Sequence, residues 1–223
     1  MHPVPFWFLE AIRPGVRAAA RGLFRIRFEG VEHVPRAGGV VITPNHVSFM
    51  DPILVTIPIH RALHYMALEP FFRVRGLGSL MRWARAFPIQ ETEQDSPAIR
   101  RALRILRQGE PLVIFPEGGR SRDGSLQPFR PGAFRIALAT GVPVVPVTIA
   151  GAFEAWPAGR RLPRPGRITI TYHAPLDGAV IPPDADRRAR PEILMTLAQE
   201  RIAAALTLQA TASRDGHGAD KPV

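Results

Sequence analysis

Short apolar runs bounded by Gly and Pro alternate with segments whose apolar residues recur every three or four positions, from about residue 30 onward. Val40–Thr43, just after Gly38-Gly39, predicts a buried strand. Pro52–Ile59 predicts a short helix, with Asp51 as N-cap and Pro52 at the first helical position. A strand over Leu63–Leu68, a helix over Leu77–Arg85 and a strand over Phe87–Ile89 follow. Ser96-Pro97 opens a helix with the apolar stripe Ile99, Ala102, Leu103 and Leu106, and Gly109 ends it. Leu112–Phe115 and Val144–Ile149 read as buried strands around a helix over Gly132–Thr140 that Gly141 closes. Arg167–Tyr172 alternates like a strand, and residues 191–208 read as a C-terminal helix. This alternation predicts an α/β fold with a largely parallel sheet flanked by helices.

Residues 6–28 carry a different pattern. Arg13, Arg17, Arg21 and Arg25 recur every four residues, opposite Phe8, Ile12, Val16, Ala19, Leu23 and Ile26. Pro14-Gly15 is expected to split this amphipathic helical segment or to start its main part. The apolar stripe suits a membrane interface, with arginine meeting lipid phosphate, and it equally suits packing on the domain. The pattern leaves both open. Three units follow: residues 1–28 as the amphipathic segment, 29–209 as the α/β domain, and 210–223 as a polar tail expected to be disordered.

Composition narrows the chemistry. The 223 residues allow one large domain or two small ones. Cysteine is absent, which excludes disulfides, a cysteine-ligated metal and a thiol nucleophile. The one lysine, Lys221, lies in the tail, which excludes a P-loop and Schiff-base chemistry on an internal lysine. The net charge of +10 rests almost entirely on arginine and points to an anionic partner: nucleic acid, anionic lipid, or a phosphorylated or CoA-type substrate. No apolar run has the roughly 18 residues of a spanning helix, and Glu10 interrupts the short Phe6–Leu9 run, so no secretory signal is expected. The expected location is the cytoplasmic face of a membrane, held peripherally.

Two polar loops follow predicted strands, at the sheet end where ligands of α/β proteins bind. In Asn45-His46-Val47-Ser48-Phe49-Met50-Asp51, a loop lets Asp51 fold back on the His46 imidazole. A carboxylate there fixes the tautomer and stabilises the imidazolium, leaving the other ring nitrogen as a general base. The pair alone is a weak signal; taken by itself it is better explained by Asp51 as a plain helix cap beside a loop histidine. In Phe115-Pro116-Glu117-Gly118-Gly119-Arg120-Ser121-Arg122, the glycines free backbone amides for an anion and the arginines offer forked phosphate contacts.

Together these stretches resemble the glycerolipid acyltransferases of the 1-acylglycerol-3-phosphate acyltransferase type. His46-x4-Asp51 preceded by Asn45, then Phe115-Pro116-Glu117-Gly118-x-Arg120-Ser121, then Val142-Pro143-Val144-Val145-Pro146-Val147, agree with the family's motifs in order and spacing over residues 28–150. The resemblance implies acyl transfer from acyl-CoA or acyl-acyl carrier protein to a lysolipid hydroxyl, with no metal and no cofactor. It implies His46 as base and Asp51 as its orienting partner. Glu117, Gly118 and Arg120 would hold the acceptor head group, Pro146 would lie near the acyl chain, and Asn45, Ser48 and Ser121 would join the substrate-binding set. Gln90 and Glu91 stand where the family usually has Asp and Arg, and Gly119 where Thr is usual. A carboxylate repels phosphate. Two acceptors therefore follow: lysophosphatidate, or a lysolipid with another head group such as an amino-acid lipid.

Other patterns carry less. Gly119-Arg120-Ser121-Arg122-Asp123 lacks the last glycine of a serine-hydrolase elbow. His60 and His64 are four apart but have no evident third ligand. A basic nucleic-acid-binding protein or a non-catalytic membrane protein would account for the charge. However, the arginines are scattered and no nucleic-acid-binding motif appears.

Overall fold

The computed structural model describes residues 4–90, 97–157, 160 and 162–215. Helix α1 (Phe6–Phe24) leads into β1 (Arg27–Glu29), β2 (Val40–Pro44), α2 (Asp51–Thr56), β3 (His64–Leu68), α3 (Pro70–Arg73), α4 (Leu77–Trp83) and β4 (Ala86–Ile89). Then come α5 (Pro97–Arg107), β5 (Pro111–Val113), α6 (Gly132–Thr140), β6 (Val144–Ala150), α7 (Ala152–Ala155), β7 (Thr169–Tyr172) and α8 (Arg190–Asp215).

The strands form one seven-stranded sheet in the order β1-β7-β6-β2-β5-β3-β4. From β6 to β4 every pairing is parallel; β7 runs antiparallel to β6, and β1 parallel to β7. The expected α/β fold with a largely parallel, helix-flanked sheet is the one observed. All five residues of β2 are buried. A strand covered on both faces reads as an unbroken apolar run, which is why Val40–Thr43 was visible in the pattern.

The sheet separates two apolar cores. Ala20 and Phe24 of α1 and Leu54 and Val55 of α2 pack on one face. Ala102 of α5, Phe134 of α6 and Ile202 of α8 pack on the other. The chain thus leaves β2 toward one face and the neighbouring β5 toward the opposite face. That divergence opens a crevice at the carboxyl ends of the two strands.

Several elements depart from the pattern. Helix α1 is continuous through Pro14. Pro14 lies on its exposed side, where a carbonyl without its usual N–H partner costs least. The polarity of α1 is the reverse of a simple amphipathic reading. Arg13 is buried on the side of Ala20 and Phe24, whereas Ile12, Val16 and Leu23 face outward at 39%, 37% and 42% exposure. The Arg13 guanidinium donates to the Ile59 carbonyl and pairs with Glu10 at 2.9 Å, so its charge is met inside the fold. Asp51 is the first residue of α2, and Met50 is its cap. Helix α8 continues to Asp215, past the point where the polar tail was expected to begin. Alanine-rich sequence favours helix there, and Gln209 ties the helix to Thr171 of β7 at 3.3 Å. Residues 216–223 lie outside the described residues.

Candidate active site

The loop after β2 is stapled to its surroundings before any catalytic group appears. The Asn45 amide donates to the Ile149 carbonyl at 3.0 Å and accepts from the Ile149 N–H at 2.7 Å. This pair continues the β2–β6 ladder by one rung built from side-chain atoms. The Ser48 hydroxyl donates to the Trp156 carbonyl at 2.8 Å. Both residues were expected to touch substrate, and both are buried in backbone contacts instead.

Asp51 is fully buried, and one oxygen, Oδ2, gathers three donors. The Val47 and Ser48 N–H groups each donate to it at 2.7 Å, and the His46 ring nitrogen Nδ1 lies 2.8 Å away. The carboxylate therefore closes the loop and fixes the ring together. With Nδ1–H directed at the carboxylate, Nε2 is the nitrogen left to take a proton. The ring also stacks on Phe115 with centroids 4.0 Å apart. Its edge is set by Asp51 and its face by an aromatic from the neighbouring strand's loop.

The loop after β5 braces the same histidine. Glu117 Oε1 accepts from the His46 N–H at 2.6 Å, and Oε2 accepts from the Gln127 N–H at 2.9 Å. The Ser121 N–H donates to the His46 carbonyl at 2.8 Å. Glu117 thus acts here as a clamp on backbone, with neither oxygen turned to a head group. Burial pushes its carboxyl up to about 7, against the two N–H bonds that favour the anion. Gly118 takes φ 75°, and a Cβ there would meet the Arg130 side chain at 2.9 Å. The Ser121 hydroxyl donates to Asp123 at 2.9 Å and stays within its own loop. Pro146 is buried inside β6, in register with Thr43, and its carbonyl accepts from the His173 N–H at 2.9 Å.

Arg120 brings a cation to this site. Its guanidinium lies over the Phe49 ring, 3.4 Å from Cζ to the centroid. Burial lowers its pKa, and the Asp51 carboxylate acts in the opposite direction. One edge nitrogen, Nη1, is buried with no hydrogen-bond partner among the described residues. The geometry brings His46, Asp51, Glu117, Gly118 and Arg120 to one crevice and assigns Asn45, Ser48 and Pro146 to its walls. Sequence reasoning passed over Phe49, Phe115 and Trp156. Phe49 lies within the first motif, but nothing in its spacing shows which cation it will meet.

His60 and His64 serve unrelated contacts: His60 pairs with Glu10 at 2.9 Å, and His64 pairs with Glu110. Gln90 follows β4 in an exposed position, and Glu91 lies outside the described residues.

The family model described as Acyltransferase matches residues 25–150, the stretch that holds β1 to β6 and both loops. The chain belongs to the acyltransferase family. It is 28% identical over 189 residues to the chloroplast 1-acyl-sn-glycerol-3-phosphate acyltransferase of Arabidopsis thaliana, covering 83% of this chain and 50% of that protein. It is 29% identical over 149 residues to the 1-acyl-sn-glycerol-3-phosphate acyltransferase of Bacillus subtilis, covering 66% and 72% respectively. The crystal structure of the 1-acyl-sn-glycerophosphate acyltransferase of Thermotoga maritima superposes with a TM-score of 0.71 at 26% identity, covering 88% of this chain and 79% of that one. The chain spans about half the length of several curated relatives, the Arabidopsis protein among them.

Proposed function

We propose that this acyltransferase moves a fatty acyl group from a thioester donor to the free hydroxyl of lysophosphatidate or a closely related lysolipid. The observation that carries this reading is the His46–Asp51 pair standing beside the Arg120 guanidinium at one crevice. His46 Nε2 takes the proton of the acceptor hydroxyl while Asp51 holds Nδ1–H and stabilises the imidazolium. The acceptor oxygen attacks the thioester carbonyl, a C–O bond forms, and the C–S bond breaks as the intermediate collapses. The imidazolium returns its proton to the departing thiolate, so the products are an ester and a thiol. Arg120 binds the acceptor phosphate through its free edge, and the Gly118 turn brings backbone close to it. Acyl-CoA and acyl-acyl carrier protein are both donors of the right chemistry.

The substrate reaches the crevice from a lipid surface. No helix among the described residues is long and apolar enough to cross a membrane. Yet Trp7 of α1 is 70% exposed, and Ile53, Phe71, Val74, Leu77 and Leu80 are also exposed. Phe8 packs edge-on against Trp83, which joins the start of α1 to the end of α4. Exposed apolar residues interspersed in sequence with exposed Arg73, Arg75 and Arg82 suit peripheral docking on anionic lipid. A second acceptor reading rests on Gln90 and Glu91: a lysolipid without phosphatidate's head group, such as an amino-acid lipid.

The test supplies palmitoyl-CoA or palmitoyl-acyl carrier protein with a panel of lysophosphatidate, lysophospholipids and a lyso-amino-acid lipid. Transfer is expected to be fastest with lysophosphatidate and to vanish in His46→Ala. Preference for an uncharged or amino-acid head group selects the second reading. No His46-dependent transfer from either donor overturns both.

A further inference from the structure

We infer that Phe49 is a positioning residue for Arg120, and through it sets the preference of this site for a phosphate-bearing acceptor. This rests on the reading of Arg120 as the head-group ligand.

An arginine side chain is long, and its guanidinium holds direction only when something holds the plane. Among the described residues no carboxylate forms an ion pair with Arg120. The Phe49 ring takes that role, at 3.4 Å from Cζ. Stacking covers a face of the guanidinium and leaves its in-plane N–H groups open, which is the arrangement a tetrahedral oxyanion needs.

The platform is itself fixed. Phe49 sits between Ser48 and Met50, both buried, although it is itself 51% exposed. The Ser48 N–H is bound by Asp51, and the Met50 N–H donates to the Ser48 hydroxyl at 3.3 Å. The Phe49 ring also lies 6.3 Å from that of Trp156, whose carbonyl takes the Ser48 hydroxyl and whose indole N–H donates to the Arg160 carbonyl. An exposed aromatic on so rigid a stretch is a surface made to be stacked upon. Asp51 links the two functions: the same carboxylate orients His46 and holds the backbone that presents Phe49.

A lipid-facing ring would also be exposed, and one substitution separates the two roles. Phe49→Leu keeps the apolar bulk and removes the π face. The full chain would be assayed with palmitoyl-CoA and either lysophosphatidate or monoacylglycerol, the same acceptor without phosphate. Phe49→Leu is expected to raise KM for lysophosphatidate roughly 3- to 30-fold, the range of a cation–π contact, with kcat within about twofold. The KM for monoacylglycerol and binding to anionic vesicles should not change. Phe49→Tyr, which restores the π face, should recover the KM. Arg120→Ala should raise the same KM further, and adding Phe49→Leu to it should do nothing more. Additive effects, a fall in kcat alone, or an unchanged KM in Phe49→Leu beside a raised one in Arg120→Ala overturns the positioning role and leaves Arg120 as ligand. An unchanged KM in Arg120→Ala overturns the acceptor reading and this inference with it.

Discussion

Replacing Asp51 by Asn tests how much of the catalytic power comes from a single buried charge. The substitution keeps shape and one acceptor oxygen, so the bonds from His46, Val47 and Ser48 can persist in neutral form. What disappears is the anion facing the imidazolium that forms in the transition state. The contact of 2.8 Å puts the two charges about 4 Å apart. At an effective dielectric of about 20, that pair is worth roughly 4 kcal/mol. At about 1.4 kcal/mol per decade, kcat should fall about a thousandfold. Ground-state binding of acceptor and donor needs no imidazolium, so KM should stay within a few-fold. The assay follows free thiol released from palmitoyl-CoA in the presence of lysophosphatidate, beside a thermal melt. The three bonds to Oδ2 lose their charge assistance, which is expected to lower stability by about 1–3 kcal/mol in total. A folded Asp51→Asn protein retaining more than a tenth of wild-type kcat would refute the ion-pair argument.

Further consequences follow from the clamps around this pair. Burial raises Glu117 from an ordinary 4.5 to about 7, so between those values the folded chain keeps a proton that the unfolded chain has released. Its contribution to stability is complete below about 4.5 and is lost as pH rises through about 7. Glu117→Gln should therefore flatten the melting temperature over that window, and parallel curves for the two proteins would contradict the assignment. Gly118→Ala meets both a positive φ of 75° and the Arg130 side chain; a loss of about 1–3 kcal/mol by denaturant melts is expected, with a raised KM for the acceptor. Arg13→Met removes the donor to Ile59 and the partner of Glu10, and should cost about 1–3 kcal/mol. Hydrogen exchange should then quicken in α1 and at the end of α2 before the rest of the sheet.

The elements that local pattern revealed are those whose partners do not change their meaning. Val40–Thr43 is apolar on both faces and lies in the middle of the sheet. Gly132–Thr140 is a periodic helix closed by Gly141 in the left-handed conformation, and both were readable in place. Strand β1 was hidden because Arg27–Glu29 is short, charged at both ends and meaningful only beside Thr169–Thr171. Helix α1 was visible as a helix, but its inward face was not. A buried arginine there is acceptable because it meets Glu10 and the Ile59 carbonyl; Glu10 is one turn away on the same helix, but Ile59 belongs to a distant segment that no helical wheel shows. The site divides the same way. The motifs place His46, Asp51 and Arg120 in two loops that each follow a strand, and the fold brings those loops together. The bonds of Asn45 to Ile149, Ser48 to Trp156 and Glu117 to the His46 N–H join segments far apart in sequence, so their bracing work could not be read from spacing.

The grip on α2 and the turn that follows it has a practical consequence. Tyr65 donates to the Pro52 carbonyl, Tyr172 to the Val55 carbonyl and Arg13 to the Ile59 carbonyl. Two of these donors come from the sheet, and the third comes from the helix that presents Ile12, Val16 and Leu23 outward. Deleting the N-terminal segment to obtain an easily handled enzyme would thus bare Leu54 and Val55, which share a core with Ala20 and Phe24, and slacken the helix that begins with Asp51. A detergent-free preparation is better sought by turning Ile12, Val16 and Leu23 to serine or glutamine, leaving every inward residue of α1 in place.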